Sequence, residues 1–288
     1  MRQKISELTI EEQIGLLHRV NVNREGMRDR FWDAFDDMEG LPFQFYFISA
    51  CPTQMPPSFA ERMIYELIHE ELDDADDALF CLRRDADARV RILDLPLKRN
   101  LDKCQDKFRD FFAELFEFTK EEEFDHYLRT GLPKLDYEYV ALTFELHERK
   151  WKPFLVDYLR WLMECFTDTP EEVPHFLFFF VIYIEGLHDP ARRNPNKVIL
   201  LDELQALADG HDSAVHLSPL TPVPEADLKA WMMELGERNS GRIEEVVELM
   251  VRGLKEDDRH LYETQKRINM DDIERLQEII CDEAGKKR

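Results

Sequence analysis

The stretch HFLFFFVIYI, His175–Ile184, is apolar along almost its whole length and shows no alternation between apolar and polar residues. A strand with one solvated face alternates, whereas a strand in the middle of a parallel sheet is covered by helices on both faces and stays apolar. A run of this length is far too short to cross a bilayer as a helix. We therefore expect a central strand of a parallel sheet, which limits the fold to the α/β class.

Similar strand-like runs recur along the chain, and stretches with helical spacing of apolar residues separate them. The predicted strands are Leu41–Ala50, Arg89–Leu97, Tyr139–Leu146, His175–Ile184 and Ala214–Leu220. The best-defined predicted helices between them are Ser58–Leu72, Leu101–Phe118 and Trp151–Phe166. Strands that alternate with helices predict a three-layer, mostly parallel sheet with right-handed crossovers.

Helical patterns without strand signals lie at both ends of the chain. The predicted terminal helices are Ile10–Leu17, Met27–Phe35, Glu225–Leu235, Ile243–Leu254 and Met270–Cys281. The pattern therefore predicts an N-terminal helical segment (1–36), an α/β domain (37–222) and an all-helical C-terminal extension (223–288).

The loop after the first predicted strand has the outline of a phosphate-binding loop. When the pattern G-x-x-x-x-G-K-[ST] is placed on residues 51–58, its final hydroxyl position holds Ser58. Cys51 and Pro56 stand at the two glycine positions, and Pro57 stands at the lysine position. The prolines remove two N–H donors, and no ammonium group replaces the lysine. We interpret the loop as a dismantled nucleotide site and expect neither hydrolysis nor a bound cofactor.

Two features of this loop leave alternatives open. Ser58 also suits the N-cap of the following helix, and the helix start together with Arg62 would make a weak anion site. A plain strand–turn–helix with proline near the first helical position explains the same residues equally well.

An acidic residue that binds Mg²⁺ would complete a working nucleotide site. The end of the most apolar strand carries a single carboxylate, Glu185, and no aspartate. The stretch VILLDE, Val198–Glu203, superficially matches such a motif, but Leu204 and Leu207 continue its apolar face at helical spacing. We therefore prefer an amphipathic helix that ends near Gly210.

The charge of the chain restricts its partners. The formal net charge is −23, from 38 Lys and Arg against 61 Asp and Glu. This balance argues against nucleic acid or a membrane surface as a partner. A local basic patch would override the total, but the sequence shows no dense Lys/Arg block. The five scattered cysteines and a polar start without a signal peptide predict a cytoplasmic protein with reduced thiols.

Metal-binding and nucleophile motifs are weak in this sequence. His211 and His216 flank Asp212, but a closed metal site needs three or four converging ligands. Glu66 and His69 form a single E-x-x-H step, whereas a di-iron bundle needs two such motifs. We expect no metal site, and a nucleophile assembled from distant residues stays an open alternative.

Apolar side chains on the terminal helices are candidates for binding a protein partner. The candidates are Leu16, Phe31, Trp32, Trp231, Met232, Leu249 and Met250. The alternative for each of them is packing onto the α/β core. Exposure in the folded protein separates these two interpretations.

The order of these features resembles the inactive STAND family, degenerate relatives of the signal-transduction P-loop ATPases of prokaryotic conflict systems. The matching stretches lie between residues 41 and 231: FQFYFISACPTQMPPSFAERMIYEL, RVRILDLPL, YVALTFELHERKWKPFLVDYL, FLFFFVIYIE and HLSPLTPVPEADLKAW. The resemblance implies a degenerate P-loop NTPase fold. It carries over no catalytic residue, because Cys51, Pro56 and Pro57 occupy the motif positions.

The same resemblance implies a non-catalytic regulatory or scaffold protein in bacterial defence or signalling. Such a protein would couple a trigger to a separate effector or sensor protein encoded nearby, with homo-oligomerisation left open. One alternative is a nucleotide-responsive switch that binds without hydrolysing. Another is an enzyme with an unrelated active site at the carboxyl ends of the strands.

Overall fold

In a computed structural model of the chain, the described residues are 24–71, 78–80, 92–118, 124–167, 169–170, 172–187, 195–234, 240–273 and 275. The strands are β1 (Phe43–Ala50), β2 (Ala78–Phe80), β3 (Ile92–Asp94), β4 (Tyr139–His147), β5 (His175–Tyr183), β6 (Ala214–Leu220), β7 (Val223–Pro224) and β8 (Arg267–Ile268). The helices are α1 (Glu25–Asp37), α2 (Pro56–Glu71), α3 (Leu101–Leu115), α4 (Phe124–Thr130), α5 (Leu155–Glu164), α6 (Pro195–Asp209), α7 (Glu225–Glu234), α8 (Ser240–Gly253) and α9 (Glu256–Gln265).

The main sheet is parallel, and β5 lies in its interior. The strand order is β2–β4–β5–β1–β6, and β3 also pairs with β4. β2 pairs with residues 139–141 of β4 and β3 with residues 143–145, so these two short strands follow one another along the same edge. The predicted α/β class with a mostly parallel sheet and a central apolar strand is confirmed.

Both faces of the sheet are covered, which explains the lack of alternation in β5. Phe45 and Phe47 of β1 pack into the core formed with α3, α5 and α6, whereas Tyr46 and Ile48 pack into the core formed with α1 and α2. Successive strand residues point to opposite faces. The rings of Phe45 and Phe178 stack at a centroid distance of 4.9 Å. Burying one such ring contributes about 1.5–3 kcal/mol.

Helix α1 packs against one face of the main sheet. Phe31 is fully buried, and its ring lies 4.9 Å from that of Tyr46 and 6.0 Å from that of Phe179. The described part of the predicted segment 1–36 therefore packs on the α/β core. The predicted helix Ile10–Leu17, with Leu16, lies outside the described residues, as does residue range 89–91 of the predicted second strand.

The extension after β6 has a core of its own, centred on Trp231, Val247 and Met250. The prediction that it is all helical is wrong in one respect, because β7 and β8 form a two-residue antiparallel ladder. Helix α9 is also absent from the prediction. It has no buried residue among its ten, so the sequence shows no apolar periodicity there.

No helix in the described parts of the chain combines the length and apolar character that a membrane span requires.

The start of α2 also differs from the prediction. The helix begins at Pro56 rather than after Ser58, so Ser58 lies inside the first turn and is not its N-cap. Pro56 and Pro57 therefore occupy the first turn, where a missing N–H costs no helical hydrogen bond.

Candidate functional site

The β1–α2 loop, Cys51–Met55, is a tight turn. Pro52–Gln54 form a single 3₁₀ turn, and Met55 takes a left-handed conformation at φ 45°. The Ser58 N–H and hydroxyl both donate to the Met55 carbonyl oxygen, at 2.9 and 2.8 Å. The donors that remain after the two prolines are thus directed back into the loop.

Arg62, the predicted cation of the weak anion site, is held by a carboxylate of its own helix. Its side chain is 3% exposed, and its Nε lies 2.6 Å from Glu66 Oε1. The other oxygen of Glu66 accepts hydrogen bonds from Arg28 Nε at 2.7 Å and from Trp32 Nε1 at 3.2 Å. This carboxylate links α1 to α2. It also pairs with the Arg62 guanidinium, the positive charge that a bound phosphate would need.

The C-terminal extension closes the loop from outside. The Gln54 side chain is 1% exposed, and its Nε2 donates to Asn269 Oδ1 at 2.7 Å. Asn269 in turn donates to Asp258 Oδ1 at 2.9 Å. Met55 packs against the extension core. The loop therefore contacts the extension through both Gln54 and Met55.

Arg24, at the start of α1, also contacts the loop. Its guanidinium donates to the Gln54 carbonyl oxygen. Burial lowers the pKa of Arg24 to about 10, and the nearby Asp227 of α7 opposes this shift. Among the described residues, Arg24 Nη1 and Gln54 Oε1 have no hydrogen-bond partner. The sequence motif search missed Arg24, Gln54 and Asn269 because they come from three distant segments.

The chain after the neighbouring strand, β5, contacts Cys51 at the place where a nucleotide site would carry a metal-binding carboxylate. β5 lies directly beside β1, and the Leu187 N–H after β5 donates to Cys51 Sγ at 3.0 Å. Glu185 is exposed beyond the strand end. The helix prediction for Val198–Glu203 is confirmed, because the stretch lies within α6. Glu203 Oε2 accepts from Trp151 Nε1 at 3.1 Å.

The histidine candidates have separate partners. His211 Nδ1 lies 3.0 Å from Ser213 Oγ, and His216 Nε2 lies 3.0 Å from Ser49 Oγ. Within the part of the chain that the structure describes, no three His, Cys, Asp or Glu side chains group as metal ligands.

Ser49 and His216 form a hydroxyl–imidazole pair that the sequence does not suggest, because the residues are 167 positions apart. Ser49 is fully buried in β1, so no substrate reaches its hydroxyl. Burial lowers the pKa of His216 to about 4, against a smaller opposing effect of Asp209. The pair therefore links β1 to β6 with a neutral imidazole.

Most of the predicted partner-binding side chains are in the cores. Phe31, Trp231, Met232 and Met250 are buried, which corrects their assignment to a contact surface. Trp32 is half-buried and bonded to Glu66. Leu249 of α8 is 42% exposed and stays a candidate. The other exposed large apolar side chains among the described residues are Val198, Ile199 and Met233.

Comparisons with known proteins assign no family to this chain. No protein-family model matches the sequence, and no curated protein matches it.

Proposed function

We propose that this chain is a non-catalytic regulatory or scaffold protein of the degenerate P-loop type, in which the C-terminal extension docks on the former nucleotide loop. A single observation carries the proposal. Gln54 at the tip of the loop is buried between Arg24 and Asn269, so protein atoms take the place of a ligand.

The contacts of the loop also weaken the nucleotide-switch alternative. That alternative needs Ser58 and Arg62 to face a phosphate. Ser58 donates to Met55, and Arg62 is paired with Glu66 inside the protein. A triphosphate would have to break both interactions and displace the extension before it could contact the start of α2.

A scaffold needs a surface for its partner, and Leu249 offers the best-founded position. It is a predicted contact residue that the fold leaves exposed, on a helix whose other apolar side chains are buried or partly buried in the extension core. The extension contacts the loop and also presents this side chain, so a partner bound there would contact the element that closes the loop. We propose that the partner is a protein encoded by a neighbouring gene, acting in defence or signalling.

The experiment is co-purification of the tagged full chain with the products of its neighbouring genes, alongside a phosphate-release assay. We expect one product to be retained and no ATP hydrolysis. Leu249→Glu should lower retention about fivefold or more, the loss typical of an interface residue worth at least 1 kcal/mol. Ile199→Glu, which places the same charge at an exposed apolar position of α6, is the matched control. Hydrolysis by the pure chain, or retention of none of the products, contradicts the proposal.

A further inference from the structure

A groove of about 680 Å³ opens beside β3 and β4, away from the β1–α2 loop. Its walls come from the β3–α3 connection, from α3 and from the β4–α5 connection. β3 and β4 are parallel, so both connections leave the carboxyl edge of the sheet. In open α/β sheets, ligands bind in crevices outside this edge, and pockets of about 300–1,000 Å³ suit small molecules.

The groove is basic, although the chain as a whole is strongly acidic. Five cationic side chains line it, Lys98, Lys107, Arg149, Lys150 and Lys152, against the two carboxylates of Asp94 and Glu114. This excess of cations concentrates positive potential at the groove, in a chain of net charge −23.

Most of this charge is not neutralised by the protein. Lys150 Nζ lies 3.9 Å from Asp94 Oδ1, and Lys107 Nζ lies 3.8 Å from Asp110 Oδ2; all four side chains are well exposed, so both pairs are weak. Within the described residues, Lys98, Arg149 and Lys152 have no carboxylate at ion-pair distance. Helix α5 also begins at the groove without a side-chain cap, and Asp157 in its first turn is paired with Arg160, so the positive end of the helix adds to the same potential.

The floor of the groove is apolar and includes two half-buried aromatic rings, Phe111 and Phe154. Phe111 packs edge-on against Phe144 of β4 at 5.9 Å, which fixes its position. Aromatic rings beside basic side chains bind nucleotide bases by stacking while the cations contact the phosphates. The combination fits an anion that carries a flat ring better than a bare inorganic ion.

We propose that this groove binds an organic phosphate with a planar ring, a ligand of the nucleotide class. The phosphate groups contact Lys98, Arg149 and Lys152. The ring lies against Phe154 and Phe111. This inference goes beyond the proposed function, since it assigns a ligand to a second place on the sheet edge and requires no partner protein.

The test is calorimetric titration of the full chain with ATP, AMP and inorganic pyrophosphate at low ionic strength. We expect ATP to bind, and Arg149→Glu/Lys152→Glu to lower its affinity about tenfold or more, because two attractive contacts become repulsive. Arg252→Glu/Lys255→Glu, which makes the same charge change at exposed positions of the extension, is the matched control. Ser58→Ala tests whether ATP binds at the β1–α2 loop instead. The Arg252→Glu/Lys255→Glu control and Ser58→Ala should each change the affinity for ATP by less than about twofold.

Phe154→Leu tests the contribution of ring stacking to the affinity separately from that of the phosphate contacts, since leucine keeps the floor of the groove apolar. It should lower the affinity for ATP and leave that for pyrophosphate unchanged. The proposal is overturned if no probe binds, if the control or Ser58→Ala weakens binding as much as the groove variant, or if Phe154→Leu affects neither probe. Partner retention is measured independently, so the failure of one proposal is distinguishable from the failure of the other.

Discussion

The β1–α2 loop and the basic groove lie at the same edge of one parallel sheet, yet they are built in opposite ways. At the loop, Arg62 is paired with the buried Glu66, and the Ser58 N–H and hydroxyl donate to the Met55 carbonyl oxygen. At the groove, Lys98, Arg149 and Lys152 face solvent next to an apolar floor. The basic side chains at this edge therefore lie at a place without a sequence motif, while the groups predicted to hold a phosphate at the loop contact other protein groups.

The largest expected difference concerns stability. Glu66→Ala leaves the buried Arg62 without its carboxylate, so we expect a loss of about 3–5 kcal/mol in the free energy of unfolding. Asp94→Ala at the groove removes a carboxylate that is 89% exposed, and we expect a change of about 0.5 kcal/mol or less. Urea denaturation measures both. Equal effects would break the distinction between a filled loop and an open groove.

The second prediction concerns the pH dependence of stability that His216 of β6 contributes beside Ser49 of β1. Its pKa in the folded chain is about 4, below the ordinary 6.5. The neutral form is favoured by folding, so this stability is present above pH 6.5 and is lost as the pH falls towards 4. The loss is about 3 kcal/mol at most.

The matched variant is His216→Gln, which keeps a hydrogen-bonding group beside Ser49 and removes the titration. The difference in unfolding free energy between wild type and variant should change between pH 6.5 and 4. A difference that stays constant across this interval contradicts the account of His216.

A smaller effect tests whether the extension is attached to the loop. Asn269→Ala removes the nearer acceptor of the buried Gln54 amide and leaves it only the longer, 3.3 Å hydrogen bond to Thr53 Oγ1, which costs about 1–3 kcal/mol. It should also speed hydrogen exchange in residues 51–58. Gln205→Ala breaks an exposed side-chain bond to Asp209, and it should change stability by about 0.5 kcal/mol or less. If Asn269→Ala leaves exchange in the loop unchanged, the extension does not hold the loop closed.

The sequence predicts the features of the fold that depend on a local pattern of residues. The continuous apolar run of β5 predicts the parallel sheet, whereas α2 begins at Pro56, two residues before its predicted start at Ser58. The short strand β2 and the ladder of β7 with β8 are too brief to show a period.

The two sites themselves depend on contacts that no local pattern contains. Gln54 and Asn269 are 215 positions apart. The cations of the groove form no dense basic block in the sequence, because they lie on the β3–α3 connection (Lys98), on α3 (Lys107) and on the β4–α5 connection (residues 149–152). These connections meet since β3 pairs with β4 in parallel.

Hydrogen–deuterium exchange of the full chain, with and without saturating ATP, tests the comparison most directly. The account predicts slower exchange in residues 95–107 and 148–156, around the groove, and unchanged exchange in residues 51–60, around the loop. Protection of residues 51–60 by ATP, with none around the groove, would contradict it.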